Sequence, residues 1–250
     1  ETKLPRKIDY EGSKYRTEFW ENHNRRYEDL AERIALKAML TASQSIKGKR
    51  LIEVGAGFGR TADMYEGYEQ VILTDYACTQ LEEAQRYLGH DDRFTFVVAD
   101  MYNMPFADHI FDTLVMIRVM HHVDDVPLAL KEICRLIHPS GTAIIEHANK
   151  RHLKAIIRWL FGLQTWNPYD YKPHEFVELN FVFHPTWLRQ QFAAAGLAIE
   201  TSRTVSHFRL SWLKKIMPPY ILAKLDGWVQ PTGKWMQFTP SIFLQAKPQK

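Results

Sequence analysis

The sequence predicts an α/β fold with a doubly wound, mostly parallel sheet, and three observations predict it. From Arg50 to His147, short apolar runs alternate with helical segments, a spacing that calls for right-handed crossovers and a sheet covered on both faces. The first run ends in a glycine-rich turn, Gly55-Ala-Gly57-Phe-Gly59. The second and third each end in an aspartate, Asp75 and Asp100.

In chain order, the first 48 residues are polar and helical in pattern. Leu30, Ile34, Leu36 and Leu40, with Ala31, Ala35 and Ala38 between them, form the apolar stripe of a helix running to about Leu40. Gly48 breaks that pattern. Strands are predicted at Leu51–Val54, Val71–Thr74, Phe94–Ala99, Thr113–Ile117 and Thr142–His147, with helices at Arg60–Tyr65, Thr79–Leu88 and Val126–Ile137. A helix near Trp187–Ala195 and strands near Ala198–Val205 and Ser241–Ala246 complete the set. The expected organisation is a single domain over 1–250. Within it, 1–48 is an N-terminal helical cover, 49–147, 186–205 and 240–247 are core, and 148–185 and 206–239 are lid insertions.

With 250 residues, 46% hydrophobic types, 24% charged types and a net charge of +3, the chain reads as globular. Disordered, collagenous and disulfide-stapled classes are excluded. Cys78 and Cys134 lack metal-ligand spacing, so no metal is expected, and a reducing compartment is. The start, Glu-Thr-Lys-Leu-Pro-Arg-Lys, has no apolar signal core, and no run is long enough to span a bilayer. The expected address is cytoplasmic.

Glycines at 55, 57 and 59 permit positive φ and close approach of a ligand to the backbone. Their G-x-G-x-G spacing departs from the dinucleotide G-x-G-x-x-G, and no Gly-Lys-Ser/Thr phosphate loop follows. Asp75 lies about 20 residues beyond the first glycine, the distance at which a carboxylate accepts both ribose hydroxyl protons. The competing reading is a helix cap. Asp100 is placed to accept from an adenine amino group, with Met101 packed beside the ring. A nucleoside held at ribose and base without a phosphate device points away from NAD and ATP.

In order, the motifs are Glu53-Val-Gly-Ala-Gly-Phe-Gly, Leu73-Thr-Asp-Tyr, Ala99-Asp-Met with Met104-Pro-Phe, Phe111-Asp-Thr-Leu-Val-Met with His121-His122, and Leu136-Ile-His-Pro-Ser-Gly-Thr. The set, covering roughly residues 48–147, resembles class I S-adenosylmethionine-dependent methyltransferases of the type 11, ubiquinone-biosynthesis-like branch. One departure is Ser140, where that family usually has a second glycine. The resemblance implies a Rossmann-like sheet of seven strands, mostly parallel with a terminal antiparallel strand, and S-adenosylmethionine as cofactor, released as S-adenosylhomocysteine. It places the backbone of Gly55, Ala56 and Gly57 at the methionine portion, Glu53 near its amino group, Asp75 on the ribose, Tyr76 beside the adenine and Asp100 at N6. The main chain at Ile117 and Arg118 faces the amino-acid end, and Tyr15 and Trp20 are candidates for an N-terminal cover.

An activated methyl needs mainly an aligned nucleophile and exclusion of water. A hydroxyl or protonated amine acceptor would also need a base, for which His121 and His122 are the catalytic candidates, His121 preferred. The alternative is that both only stabilise the loop. Six of the seven tryptophans lie after residue 150, five of them in the insertions, and each insertion carries five Lys and Arg, against three acids in the first and one in the second. An aromatic, basic lid suits an aromatic, lipid-like or anionic small molecule, and also peripheral docking on an anionic membrane. Nucleic acid is disfavoured by the modest net charge. The rivals to small-molecule methyl transfer are an RNA or protein methyltransferase, a non-catalytic S-adenosylmethionine-binding module and a nicotinamide oxidoreductase.

Overall fold

The structure, a computed structural model, describes residues 4–21, 25–43 and 50–249; the expected break at Gly48 lies outside the described residues. Helix α1 (Arg26–Ser43) places Tyr27, Ala31, Ala35 and Met39 on one buried stripe at four-residue spacing. Then come β1 (Arg50–Val54), β2 (Gln70–Asp75), α2 (Cys78–Leu88), β3 (Phe94–Val98), β4 (Phe111–Met116), α3 (Val126–Leu136) and β5 (Ile137–Ala148). The Asp125 side chain caps α3 by accepting from Leu128 N at 3.0 Å, and Pro127 sits in its first turn. The chain continues through α4 (Leu153–Leu160), the hairpin β6 (His174–Val177) and β7 (Asn180–Val182), α5 (Pro185–Ala194), β8 (Leu197–Val205), α6 (Ser211–Ile216), α7 (Pro219–Val229) and β9 (Ser241–Pro248).

The main sheet has seven strands in the order β3-β2-β1-β4-β5-β9-β8. Strands β1 to β5 pair in parallel, while β9 runs antiparallel to both β5 and β8. The fold class is therefore the expected doubly wound α/β sheet with one antiparallel strand. Its order reverses beside β1, so the C-terminal ends of β1, β2 and β4 open a crevice there. One apolar core lies beneath α3 and α5, and a second beneath α1 and α7 on the other face.

Two elements differ from expectation. Arg60–Tyr65 is not a helix but a single 3₁₀ turn, Ala62–Met64. Arg60 and Thr61 turn their side chains to Glu32 of α1 and Glu53 of β1, and Gly67 at φ +88° reverses the chain soon afterwards. Strand β5 begins earlier than expected, at Ile137, then jumps register: Phe111 faces Ile137, whereas Thr113 faces Thr142. The Pro139-Ser140-Gly141 segment is thus an outward bulge within the strand.

The two aromatic stretches are anchored by buried polar groups that the sequence pattern did not mark. Asp226 accepts from Tyr27 Oη at 3.0 Å and His207 N at 2.8 Å, tying residues 206–239 to α1. Lys150 is almost fully buried and its Nζ donates to the carbonyls of Asp170 and Lys172 at 2.9 and 2.6 Å. These contacts satisfy groups whose burial alone would be costly. Among the described residues, no helix is long and apolar enough to cross a membrane.

Candidate cofactor and active site

Strand β1 runs into a turn in which Gly55, Gly57 and Gly59 all have positive φ, at +70°, +54° and +75°. The turn is stitched by Ala56 N to Thr74 O at 2.8 Å and Gly57 N to the Asp75 carboxylate at 2.9 Å. A Cβ on Gly55 would lie 2.3 Å from Val119 Cγ2, so this glycine permits close packing of the β4 exit loop. A Cβ on Gly57 would meet nothing within 4 Å, because that residue faces open cavity.

Three carboxylates border the cavity. Glu53 is buried; its Oε1 accepts from Thr61 Oγ1 at 2.6 Å while its Oε2 has no partner. Burial pushes its carboxyl up to about 7, against the opposing pull of the Thr61 and Tyr65 hydroxyls. Asp75 accepts from Gly57 N and from Ala77 N, the latter at 3.0 Å. Burial raises its pKa, and those backbone N–H groups hold it down. The Ala77 contact makes Asp75 part of the turn into α2, the competing role weighed from the sequence. Asp100 lies two residues beyond β3 and is paired with Lys7 Nζ at 2.5 Å.

The cavity is roofed by the N-terminal segment. Arg6 chelates Asp124 and bridges to Glu175, Gly12 N donates to Thr79 Oγ1 at 2.8 Å, and Gln80 Nε2 donates to the Ser13 carbonyl at 3.1 Å. Tyr15 and Trp20 line the cavity from this strap. The Trp20 indole lies 4.0 Å from the Arg60 guanidinium carbon and 5.6 Å from that of Arg118, and its Nε1 is buried without a partner. No residue of 148–185 or 206–239 lines this cavity. Among the described residues, the lining outside the sheet edge comes from the N-terminal segment.

Arg118 leaves β4 at φ +62°, with its N donating to Glu146 Oε2 at 3.0 Å and its side chain held by buried Glu32. That conformation turns the backbone of Ile117 and Arg118 toward the cavity. Of the two histidines, His122 lines the cavity; His121 does not, and lies against the His122 ring at 3.9 Å between centroids. His122 Nδ1 is 2.8 Å from the Leu179 carbonyl and therefore carries the proton, which leaves Nε2 to accept from Tyr10 Oη at 3.1 Å. Burial holds both rings below the ordinary histidine range. For His121 the fall is large and is increased by the neighbouring His122, Arg118 and Arg25. Every cofactor-binding candidate named from the sequence lines this one cavity: Tyr15, Glu53, Gly55, Ala56, Gly57, Asp75, Tyr76, Asp100, Met101, Ile117 and Arg118. Sequence reading missed Arg6, Lys7, Tyr10 and Thr61, whose places depend on contacts far along the chain or on a turn read as helix.

Residues 52–145 match the methyltransferase domain family. Over that segment the chain is similar to methyltransferase domains. Over 109 residues it is 30% identical to a demethylmenaquinone methyltransferase of Clavibacter sepedonicus, covering 43% of this chain and 44% of that one. Over 205 residues it is 26% identical to an uncharacterised protein of Methanocaldococcus jannaschii, covering 82% and 78%. The chain spans about half the length of the curated methyltransferases it matches. Among solved structures, the magnesium protoporphyrin IX methyltransferase of Synechocystis with bound S-adenosylhomocysteine superimposes with a TM-score of 0.60 at 15% identity, covering 92% of this chain and 88% of that one. That likeness is one of fold.

The cavity suits S-adenosylmethionine, the cofactor that the resemblance implies. An amino acid offers ammonium donors and carboxylate acceptors, and the cavity holds an orphan acceptor, Glu53 Oε2, and an orphan donor, Trp20 Nε1. A ribose and an adenine amino group are donors, and Asp75 and Asp100 are acceptors at the ends of adjacent strands.

Proposed function

We propose that the chain transfers a methyl group from S-adenosylmethionine to a small-molecule or lipid-like acceptor. The observation that carries this reading is the convergence of Glu53, Asp75, Asp100 and the glycine turn on one roofed cavity with two unpartnered polar atoms. Glu53 and Trp20 would hold the amino-acid end, Asp75 the ribose, and Asp100 the adenine amino group with Tyr76 and Met101 beside the ring. The cofactor supplies a methyl already activated on a sulfonium. Residues 6–20 keep water from the cavity, and the backbone at Ile117 and Arg118 sets the direction of approach.

His122 has both ring nitrogens engaged, and His121 is neutral at pH 7 but too weak a base to capture a proton efficiently. This supports an acceptor that arrives nucleophilic, such as a neutral amine or a stabilised anion, and assigns the histidines to positioning. His122→Ala is expected to lower turnover about tenfold or more, with S-adenosylhomocysteine affinity nearly unchanged. The pH–rate profile should show no limb near the ordinary histidine range. A limb there that disappears in His122→Ala or His121→Ala would restore a general-base role.

The first test of the reading is calorimetric titration with S-adenosylhomocysteine, with NAD in parallel. One-to-one binding of the former alone is expected. Asp75→Ala should weaken it by about 1–3 kcal/mol, through loss of a charge-assisted acceptor; unchanged affinity would leave Asp75 as a turn residue only. Transfer of labelled methyl into a small-molecule extract, and not into RNA or protein, tests the acceptor class.

A further inference from the structure

Three segments of the two insertions meet at the edge of the sheet on which the cavity opens. One leaves the C-terminal end of β5, one leaves the C-terminal end of β8, and one enters β9. The register brings these points together, with Ala148 opposite Ser241 and Ser241 opposite Val205. Leu153 N donates to the Phe238 carbonyl at 2.8 Å, and Asn149 Nδ2 donates to the Gln237 and Thr239 carbonyls, fastening the first segment to the third. None of the three, over 149–163, 206–217 and 230–240, contains an acidic residue.

Helix α4 is apolar on two faces. Ala155 and Ile156 point inward and are buried, while Leu153, Ile157 and Leu160 form an exposed row at helical spacing. Beyond the helix Phe161 is 75% exposed, and on the neighbouring segments Ile216 is 71% and Trp235 84% exposed. Exposed Lys154 and Arg158 stand one helical turn apart on α4, with Lys215 on α6 and Lys234 beside Trp235. Large apolar tips set among cations, with no carboxylate among them, have the composition of a surface that enters the headgroup region of a bilayer.

The geometry points to this face as a docking surface for an anionic phospholipid membrane. Charge complementarity selects that occupant: the three segments that carry Lys154, Arg158, Lys215 and Lys234 contain no carboxylate of their own, and phospholipid headgroups supply anions. The aliphatic row Leu153, Ile157 and Leu160 would have no counterpart on RNA, which is read through phosphates and base faces. The cavity opens on the same edge, so a docked molecule presents it to the bilayer. The inference rests on the surface alone and is independent of methyl transfer.

The test is co-sedimentation of the full chain with vesicles of phosphatidylcholine, alone or containing about 30% phosphatidylglycerol. Binding about tenfold stronger to the anionic vesicles is expected, falling as salt is raised to ~0.5 M. Phe161→Glu and Trp235→Glu should each abolish it, and Lys154→Glu with Arg158→Glu should remove the preference for anionic lipid. All these variants should keep the parent melting temperature and S-adenosylhomocysteine affinity. Absence of vesicle binding, or equal binding to neutral vesicles, overturns the proposal. So does a dimer in light scattering that Phe161→Glu dissociates, which assigns the face to a second copy, and so does RNA binding in place of vesicle binding.

Discussion

Gly55→Ala is expected to destabilise the fold by about 2–4 kcal/mol. Two costs combine there. An alanine at φ +70° sits in a backbone region that a Cβ disfavours, and its Cβ would lie 2.3 Å from the Val119 side chain. Val119 belongs to the buried core beneath the β4 exit, so relief requires moving β1 and that loop apart. Gly57→Ala is the matched control. It carries the same left-handed strain, about 1 kcal/mol, and meets no atom within 4 Å. Its methyl projects instead toward the cavity, so S-adenosylhomocysteine affinity should fall tenfold or more while the urea midpoint shifts little. Equal urea midpoints for the two variants would contradict the packing assigned to Gly55.

The second large effect is a pH dependence centred on Glu53. Its carboxyl is held at about 7 in the folded chain, against an ordinary value of 4.5, by burial. Between those values the native state retains a proton that the unfolded state has lost, so stability falls as pH rises. The loss amounts to about 3 kcal/mol once pH exceeds 7. Glu53→Gln removes this dependence, and urea unfolding across pH 5–8 measures it. Cofactor binding should move the other way. An ammonium beside Glu53 favours the ionised form, so binding below pH 7 releases a proton and strengthens as pH rises. Calorimetry in buffers of different ionisation enthalpy reads that proton directly. No buffer dependence at pH 6 would mean that Glu53 does not meet the amino group.

The sequence signals that proved legible were local ones. Buried parallel strands read as short apolar runs because both their faces are covered, and the glycine turn reads locally because positive φ at 55, 57 and 59 favours glycine, although the tightness at Gly55 is set by Val119. The helix expected at 60–65 failed for a tertiary reason: Arg60 is drawn to Asp29 and Glu32 of α1, and Thr61 to Glu53, leaving one turn of 3₁₀ helix. The preference for His121 over His122 did not match the cavity: the two rings lie against each other, and His122 is the one that reaches the cavity wall. Which of them faces inward is decided by a carbonyl 57 positions away, at Leu179.

What the sequence determined by itself is the order of the seven main-sheet strands along the chain, the glycine turn, and the placing of Glu53, Asp75 and Asp100 at or just beyond the ends of three strands. What only the tertiary structure decided is the roof and the wall of the site. Lys7 reaches Asp100, Arg6 reaches Asp124 and Glu175, and Arg118 reaches Glu32 across 86 positions. Such ion pairs form between long, flexible side chains whose partners are chosen by proximity after the sheet has assembled. A charge carries no periodicity that names its partner, whereas an apolar stripe declares the face it buries.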